Sequence, residues 1–233
     1  MEIKSQLRLI QKSYDTAIRL GRKGIDLYKD LPEHITHDPD YPIFEKMMME
    51  EGDSNSGRKE IKDYLSPNNT MKFIDLGCCL NLMFRGYGVW PSIYHGIDIS
   101  GKTIQLLNEF ITEKRLAIGS LHCGSIHDTP FDDNYFDIGA CIGVLEYFEK
   151  DFVASAIIEA HRIIKPDGRF VLDIPRIGSP ECRIMMIIEE HLGRPDRFDM
   201  SSPGFEDILE NYFETEKKEK AGPMTQFFLR CKK

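Results

Sequence analysis

From Met71 onward, short apolar runs alternate with segments whose apolar positions recur at helical spacing. Lys72–Leu76 and Ile93–Ile99 are compact runs rich in β-branched and aromatic residues, so both are predicted strands. Lys102–Lys114 carries Ile104, Leu107, Phe110 and Ile111 on one face and is predicted helical. Leu116–Cys123 and Phe136–Ile142 follow as strands three and four, and Phe152–Ile164 as a helix with Val153, Ala156, Ile157, Ala160 and Ile164 in register. Pro166-Asp167-Gly168 stops that helix before a fifth strand, Arg169–Ile174. Glu181–Leu192 is a further helix. Asn211–Ala221 and Met224–Cys231 form two strands hinged at Gly222-Pro223.

The first 57 residues follow a different pattern. Ile3, Leu7, Ile10, Tyr14, Ile18, Ile25 and Tyr28 predict an amphipathic helix over 3–28, weakened near its end by Gly21 and Gly24. A Pro- and Asp-rich connector runs from Leu31 to Pro42, and a short helix covers Phe44–Glu50. Gly52-Asp53-Ser54-Asn55-Ser56-Gly57 is a polar boundary, followed by a helix over Arg58–Leu65 and a turn at Pro67-Asn68-Asn69. The division that follows is an N-terminal helical extension, 1–57, and an α/β domain, 58–233. Strand–helix alternation calls for a doubly wound, mostly parallel sheet, with the C-terminal hairpin adding antiparallel edge strands.

Composition narrows the function. The chain has 233 residues, 41% hydrophobic and 29% charged, with a formal net charge of −8. That charge argues against nucleic acid as a partner, since phosphate backbones require a basic face. The apolar runs are too short for a membrane helix, and Met1–Ile10 carries charges where a signal peptide needs an apolar stretch, so a cytoplasmic protein is expected. Six cysteines without framework spacing are expected to stay reduced.

Chemistry concentrates at the ends of the predicted strands. Phe73-Ile74-Asp75-Leu76-Gly77-Cys78-Cys79 is a strand running into a turn where glycine allows close backbone approach to a ligand. Gly96-Ile97-Asp98-Ile99-Ser100 is a strand ending in a carboxylate, 21 residues beyond Gly77, the spacing of an acid that binds a ribose diol. The run Gly124–Asp137, then Val144-Leu145-Glu146-Tyr147-Phe148, then Arg162–Phe170 completes an ordered set.

These segments resemble class I S-adenosylmethionine-dependent methyltransferases over about residues 58–175. The resemblance implies a Rossmann-like, mostly parallel seven-stranded sheet with an antiparallel C-terminal hairpin, and S-adenosylmethionine as cofactor, with S-adenosylhomocysteine as its product. It implies that Asp75 and Gly77, with Cys78 and Cys79 in the same loop, hold the amino acid end of the cofactor. By the same resemblance Asp98 is expected to bind the ribose hydroxyls, and Ile99 to pack on the adenine. Ser125 and Ile126 are expected at the adenine edge, and Cys141 or Ile142 is expected to face the reacting sulfonium. In this chain Cys79 and Asn81 stand where the family's loop has glycines, and Ser125 stands where it has an acid.

Methyl transfer needs proximity and orientation more than a dedicated residue, and no catalytic residue is assigned. His127, Glu146, Tyr147 and Asp173 sit on loops where a base would act if the acceptor must lose a proton. The N-terminal helix and the Arg176–Leu192 segment are expected to cover the cleft, which favours a small-molecule acceptor. Cys78, Cys79 and Cys141 are expected to border the cleft, yet no spaced Cys/His quartet makes a metal site. Two other readings stand beside the enzyme. One is a non-catalytic nucleoside-binding protein with the same fold, consistent with Cys79, Asn81 and Ser125. The other, a nicotinamide oxidoreductase, lacks the G-x-G-x-x-G turn it needs, because Gly77 is followed by Cys78-Cys79-Leu80-Asn81-Leu82.

Overall fold

A computed structural model describes residues 3–51 and 59–233. The polar stretch 52–57, and with it the boundary drawn there, lies outside the described residues. Helices α1 (Ile3–Gly21), α2 (Glu33–Thr36), α3 (Tyr41–Glu51) and α4 (Lys59–Leu65) precede the sheet. Then come β1 (Lys72–Leu76), α5 (Asn81–Phe84), β2 (Ile93–Asp98), α6 (Gly101–Lys114), β3 (Ser120–Cys123), β4 (Phe136–Cys141), α7 (Lys150–Ile163) and β5 (Ile164–Pro175). The chain closes with α8 (Pro180–His191), α9 (Ser202–Leu209), β6 (Phe213–Ala221) and β7 (Met224–Cys231).

The seven strands lie in the order β3-β2-β1-β4-β5-β7-β6. β1 to β5 are mutually parallel, and β7 enters antiparallel between β5 and β6. Central strands of such a sheet are covered on both faces, which is why β1 after Lys72 is apolar except for Asp75. Alternate residues feed two cores. Ile74, Leu76, Phe170 and Leu172 face one side with α7, while Phe73, Val171 and Phe228 face the other with Leu107 of α6. A third cluster joins Leu31, Ile35 and Phe44 to Ile184 and Ile188 of α8.

Boundaries differ from the sequence-based expectations for identifiable reasons. α1 stops at Gly21, short of Tyr28, and Gly24 adopts φ +78°. β3 begins at Ser120 because Leu116 still closes the α6 terminus, its N–H donating to the Ile111 carbonyl after the left-handed Arg115. β5 reaches back to Ile164, which pairs with Phe136 before a bulge. α2, α5 and α9 are additional. The Ser201 hydroxyl caps α9 by accepting from the Gly204 N–H, with proline in the first turn.

This topology puts the carboxyl ends of β1, β2 and β4 side by side. The strand order reverses between β1 and β4, the point at which ligands bind in doubly wound sheets.

Candidate functional site

At that reversal lies a crevice of about 560 Å³, measured to the surrounding atoms and partly open to solvent. Its floor is the turn after β1, with Gly77, Cys79 and Asn81. One side carries Asp98 and Ile99 from β2 and Gly124, Ser125 and Ile126 from beyond β3. The other carries Ile142, Gly143 and Val144 after β4, then Tyr147, Phe148 and Phe152. Leu7, Ile10 and Tyr14 of α1 line it as well, so the helix the chain begins with forms part of its wall.

Gly77 has φ +72°, and a Cβ there would stand 2.4 Å from Val144 Cγ2. Only glycine lets the β1 turn approach the β4 turn so closely. Cys79 also sits at positive φ, +38°, a conformation costly for a side chain. Its N–H donates to Asp98 Oδ2 at 2.9 Å, while the Ser100 N–H donates to Oδ1 at 2.8 Å. Asp98 is 8% exposed. Burial pushes its pKa up to about 6, against the pull of the two N–H bonds, and the nearby Asp15 carboxylate adds to the rise. Asp15 reaches in from α1 and accepts from Ser100 Oγ at 2.6 Å. Ser125 Oγ lies 2.6 Å from His127 Nδ1.

Asp75, Cys78 and Cys141 are expected site residues that the structure places behind the crevice wall. Asp75 is fully buried and accepts from Tyr94 Oη at 2.9 Å. Asn81 Nδ2 donates to both of its oxygens at 3.3 Å, so the carboxylate orients the amide that lines the crevice. Cys78 packs beneath Gly96, whose missing Cβ would stand 3.0 Å from its sulfur. Cys141 points to the opposite core, near Ile126 and Leu145. Of the three cysteines expected at the cleft, Cys79 alone lines it. Burial pushes its thiol up to about 12, which keeps it protonated. Among the described residues no group of three or more His, Cys, Asp or Glu is placed to hold a metal ion.

The remaining base candidates differ in setting. Asp173 Oδ1 accepts from the Gly143 N–H at 2.8 Å. Glu146 Oε2 is buried without a hydrogen-bond partner. Burial, and then the Asp173 charge, push its carboxyl well above the usual range. Tyr147 belongs to a network that sequence reasoning missed. Tyr14 Oη donates to Tyr147 Oη at 3.3 Å, which donates to Glu189 Oε2 at 3.2 Å. Arg194 is 4% exposed and binds Glu189 through Nε at 2.5 Å and Nη2 at 3.2 Å. Its guanidinium lies 4.8 Å from the Tyr14 ring centre. Tyr28 Oη donates to Glu189 Oε1 at 2.7 Å. The available signal was Tyr14 itself, a polar-tipped residue in the apolar stripe of Leu7 and Ile10.

Residues 74–172 match the family model described as a methyltransferase domain. This segment is similar to methyltransferase domains. Across 99 residues, 42% of this chain, it is 31% identical to the uncharacterized methyltransferase YcgJ of Bacillus subtilis. An uncharacterized protein of Methanocaldococcus jannaschii shows the same identity over the same length. The match spans 38% of the length of each relative. Among solved structures, geranyl diphosphate C-methyltransferase from Streptomyces coelicolor A3(2) superposes with a TM-score of 0.68 at 16% identity, covering 97% of this chain and 98% of that one. That crystal contains Mg2+, geranyl-S-thiolodiphosphate and S-adenosyl-L-homocysteine. The PH0226 protein of Pyrococcus horikoshii OT3 gives 0.59 at 19% identity, covering 77% and 89%. The likenesses show the fold, an α/β sheet that is mostly parallel with antiparallel C-terminal strands. No helix among the described residues is long and apolar enough to cross a membrane.

Proposed function

We propose that the crevice binds S-adenosylmethionine and that the protein transfers its methyl group to a small-molecule acceptor. The observation that carries this reading is the convergence of Gly77, Asp98, Ser125–Ile126 and Ile142–Val144 on one crevice at the strand-order reversal of a methyltransferase domain.

The residues fit the cofactor on physical grounds. The Gly77 turn presses against Val144 with no room for a Cβ, so its backbone can approach a ligand. Asp98 is a buried carboxylate with acceptor capacity beyond its two N–H bonds, suited to a sugar diol. Ile99 and Ile126 offer apolar surface for a purine, with the Ser125 hydroxyl at its edge. The Asn81 amide, steadied by Asp75, suits the amino acid end. When bound, the cofactor supplies an electrophilic methyl group on a sulfonium. The chain's own part is to orient the acceptor and exclude water, for which the Leu7, Ile10, Phe148 and Phe152 walls are suited.

In this reading residues 1–57 are an extension that roofs the site and 58–233 are the transferase domain. A roofed crevice admits a metabolite and excludes a folded protein or a duplex. Calorimetry with S-adenosylmethionine and S-adenosylhomocysteine tests the proposal: both bind the wild-type chain, and Asp98→Ala abolishes the heat. Absence of binding at millimolar ligand overturns it. Binding without methylation of any metabolite extract favours the non-catalytic reading, which the strained Cys79 at a family glycine position supports.

A further inference from the structure

The wall shared by α1 and the 145–147 turn contains two phenols whose protons are both committed. Glu189 receives the Arg194 guanidinium on both oxygens, at 2.5 and 3.2 Å. Both of its oxygens therefore act as acceptors. The single proton of Tyr147 goes to Glu189, so its oxygen accepts from Tyr14, and the single proton of Tyr14 is spent in turn. Among the described residues nothing donates to Tyr14 Oη. The chain of bonds has one direction, and it leaves the Tyr14 phenol with lone pairs but no proton to offer the crevice. No lysine or arginine lines that crevice among the described residues, and Arg194 is committed to Glu189 and Tyr28.

We propose that Tyr14 is the residue that selects the methyl acceptor, by accepting a hydrogen bond from it. The molecule methylated then carries an N–H or O–H group on an apolar, uncharged or cationic body: an amine or an alcohol, not a carbon nucleophile or a polyanion. This rests on reading the crevice as a methyl-transfer site and adds the substrate class to it. A molecule without a hydrogen to donate leaves the Tyr14 Oη lone pairs without a donor once it displaces water from the crevice, which penalises its binding about tenfold or more. A diphosphate, as in the Streptomyces coelicolor complex, finds no counter-charge on these walls.

Matched probes test the idea on the full chain saturated with S-adenosylhomocysteine. Benzyl alcohol is compared with benzyl methyl ether, and benzylamine with benzyltrimethylammonium, by calorimetry. The ζ-carbon resonance of 13C-labelled Tyr14, assigned by its loss in Tyr14→Phe, is followed in parallel. The expected result is binding of the hydrogen-bearing member of each pair at least about tenfold tighter, with a shift of the Tyr14 resonance. In Tyr14→Phe the preference collapses. In Tyr147→Phe the Tyr14 proton is released, so the ether gains affinity; this variant serves equally if Tyr14→Phe does not fold. Equal binding within pairs, a preference that survives both variants, or binding of no probe overturns the proposal. Failure to take up S-adenosylhomocysteine in the first place overturns the methyltransferase reading itself, so the two failures are distinguishable.

Discussion

Asp98→Asn isolates the electrostatics of the crevice while nearly preserving its shape. The folded carboxyl titrates at about 6 because burial strips its hydration, whereas in the unfolded chain it titrates at about 3.9. The folded value lies above the unfolded one, so the native state binds the proton more tightly. Stability from this group is therefore complete below about pH 4 and is lost as pH rises to about 6. A separation of about two pH units, at about 1.4 kcal/mol each, makes the loss about 3 kcal/mol. The amide variant does not titrate, but it has one acceptor oxygen for two backbone donors, Cys79 N–H and Ser100 N–H, at a pH-independent cost of about 1–2 kcal/mol. Relative to wild type, Asp98→Asn should thus be less stable at about pH 4 and comparable or more stable at about pH 7. Urea unfolding of both proteins across that window gives the difference curve. A flat curve would refute the claim that Asp98 is a carboxyl held in an unfavourable setting by the fold. Ligand binding supplies the second arm: affinity for S-adenosylhomocysteine should rise with pH up to about 6 in wild type and lose that dependence in the variant.

Gly77→Ala should cost about 2–4 kcal/mol and eliminate S-adenosylhomocysteine binding, since the new Cβ meets Val144 at a positive φ; an unchanged urea midpoint would count against the close approach. Cys79→Gly should relieve the left-handed backbone and raise stability by up to about 1 kcal/mol without weakening ligand binding, measured by thermal unfolding and calorimetry. Arg194→Ala should cost about 3–5 kcal/mol by leaving Glu189 buried without its cation, and a loss under about 1 kcal/mol would show that the network is solvated.

The parallel strands were legible because a strand covered on both faces must be apolar throughout, and Lys72–Leu76, Ile93–Ile99 and Phe136–Ile142 are close to that. The spacing from Gly77 to Asp98 was legible for the same topological reason: one crossover separates adjacent strand ends. The sequence offered no way to see that Asp75 stands behind Asn81, because an acid near the turn looks the same whichever way its side chain faces and only the Tyr94 contact decides. The tyrosine wall was hidden for a different reason. Tyr28 and Glu189 are 161 residues apart and Tyr14 and Tyr147 133 apart, and no local pattern couples such positions. α9 could have been found from Ser201 followed by Pro203, the cap and first-turn pairing that opens a helix.

Ser13 of α1 donates to the carbonyl of Leu192, 179 residues further along the chain. During synthesis α1 leaves the ribosome long before its docking surface exists, and at about 5–20 residues per second it waits roughly 10–40 s for α8 and Arg194. Until α6 and the crevice residues up to Phe152 have emerged, Leu7, Ile10 and Tyr14 have nothing to pack against, and α1 is too marginal to hold its shape well alone. The helix that lines one wall of the crevice is thus made well before it is fastened, which makes it a natural handhold for a chaperone on the nascent protein.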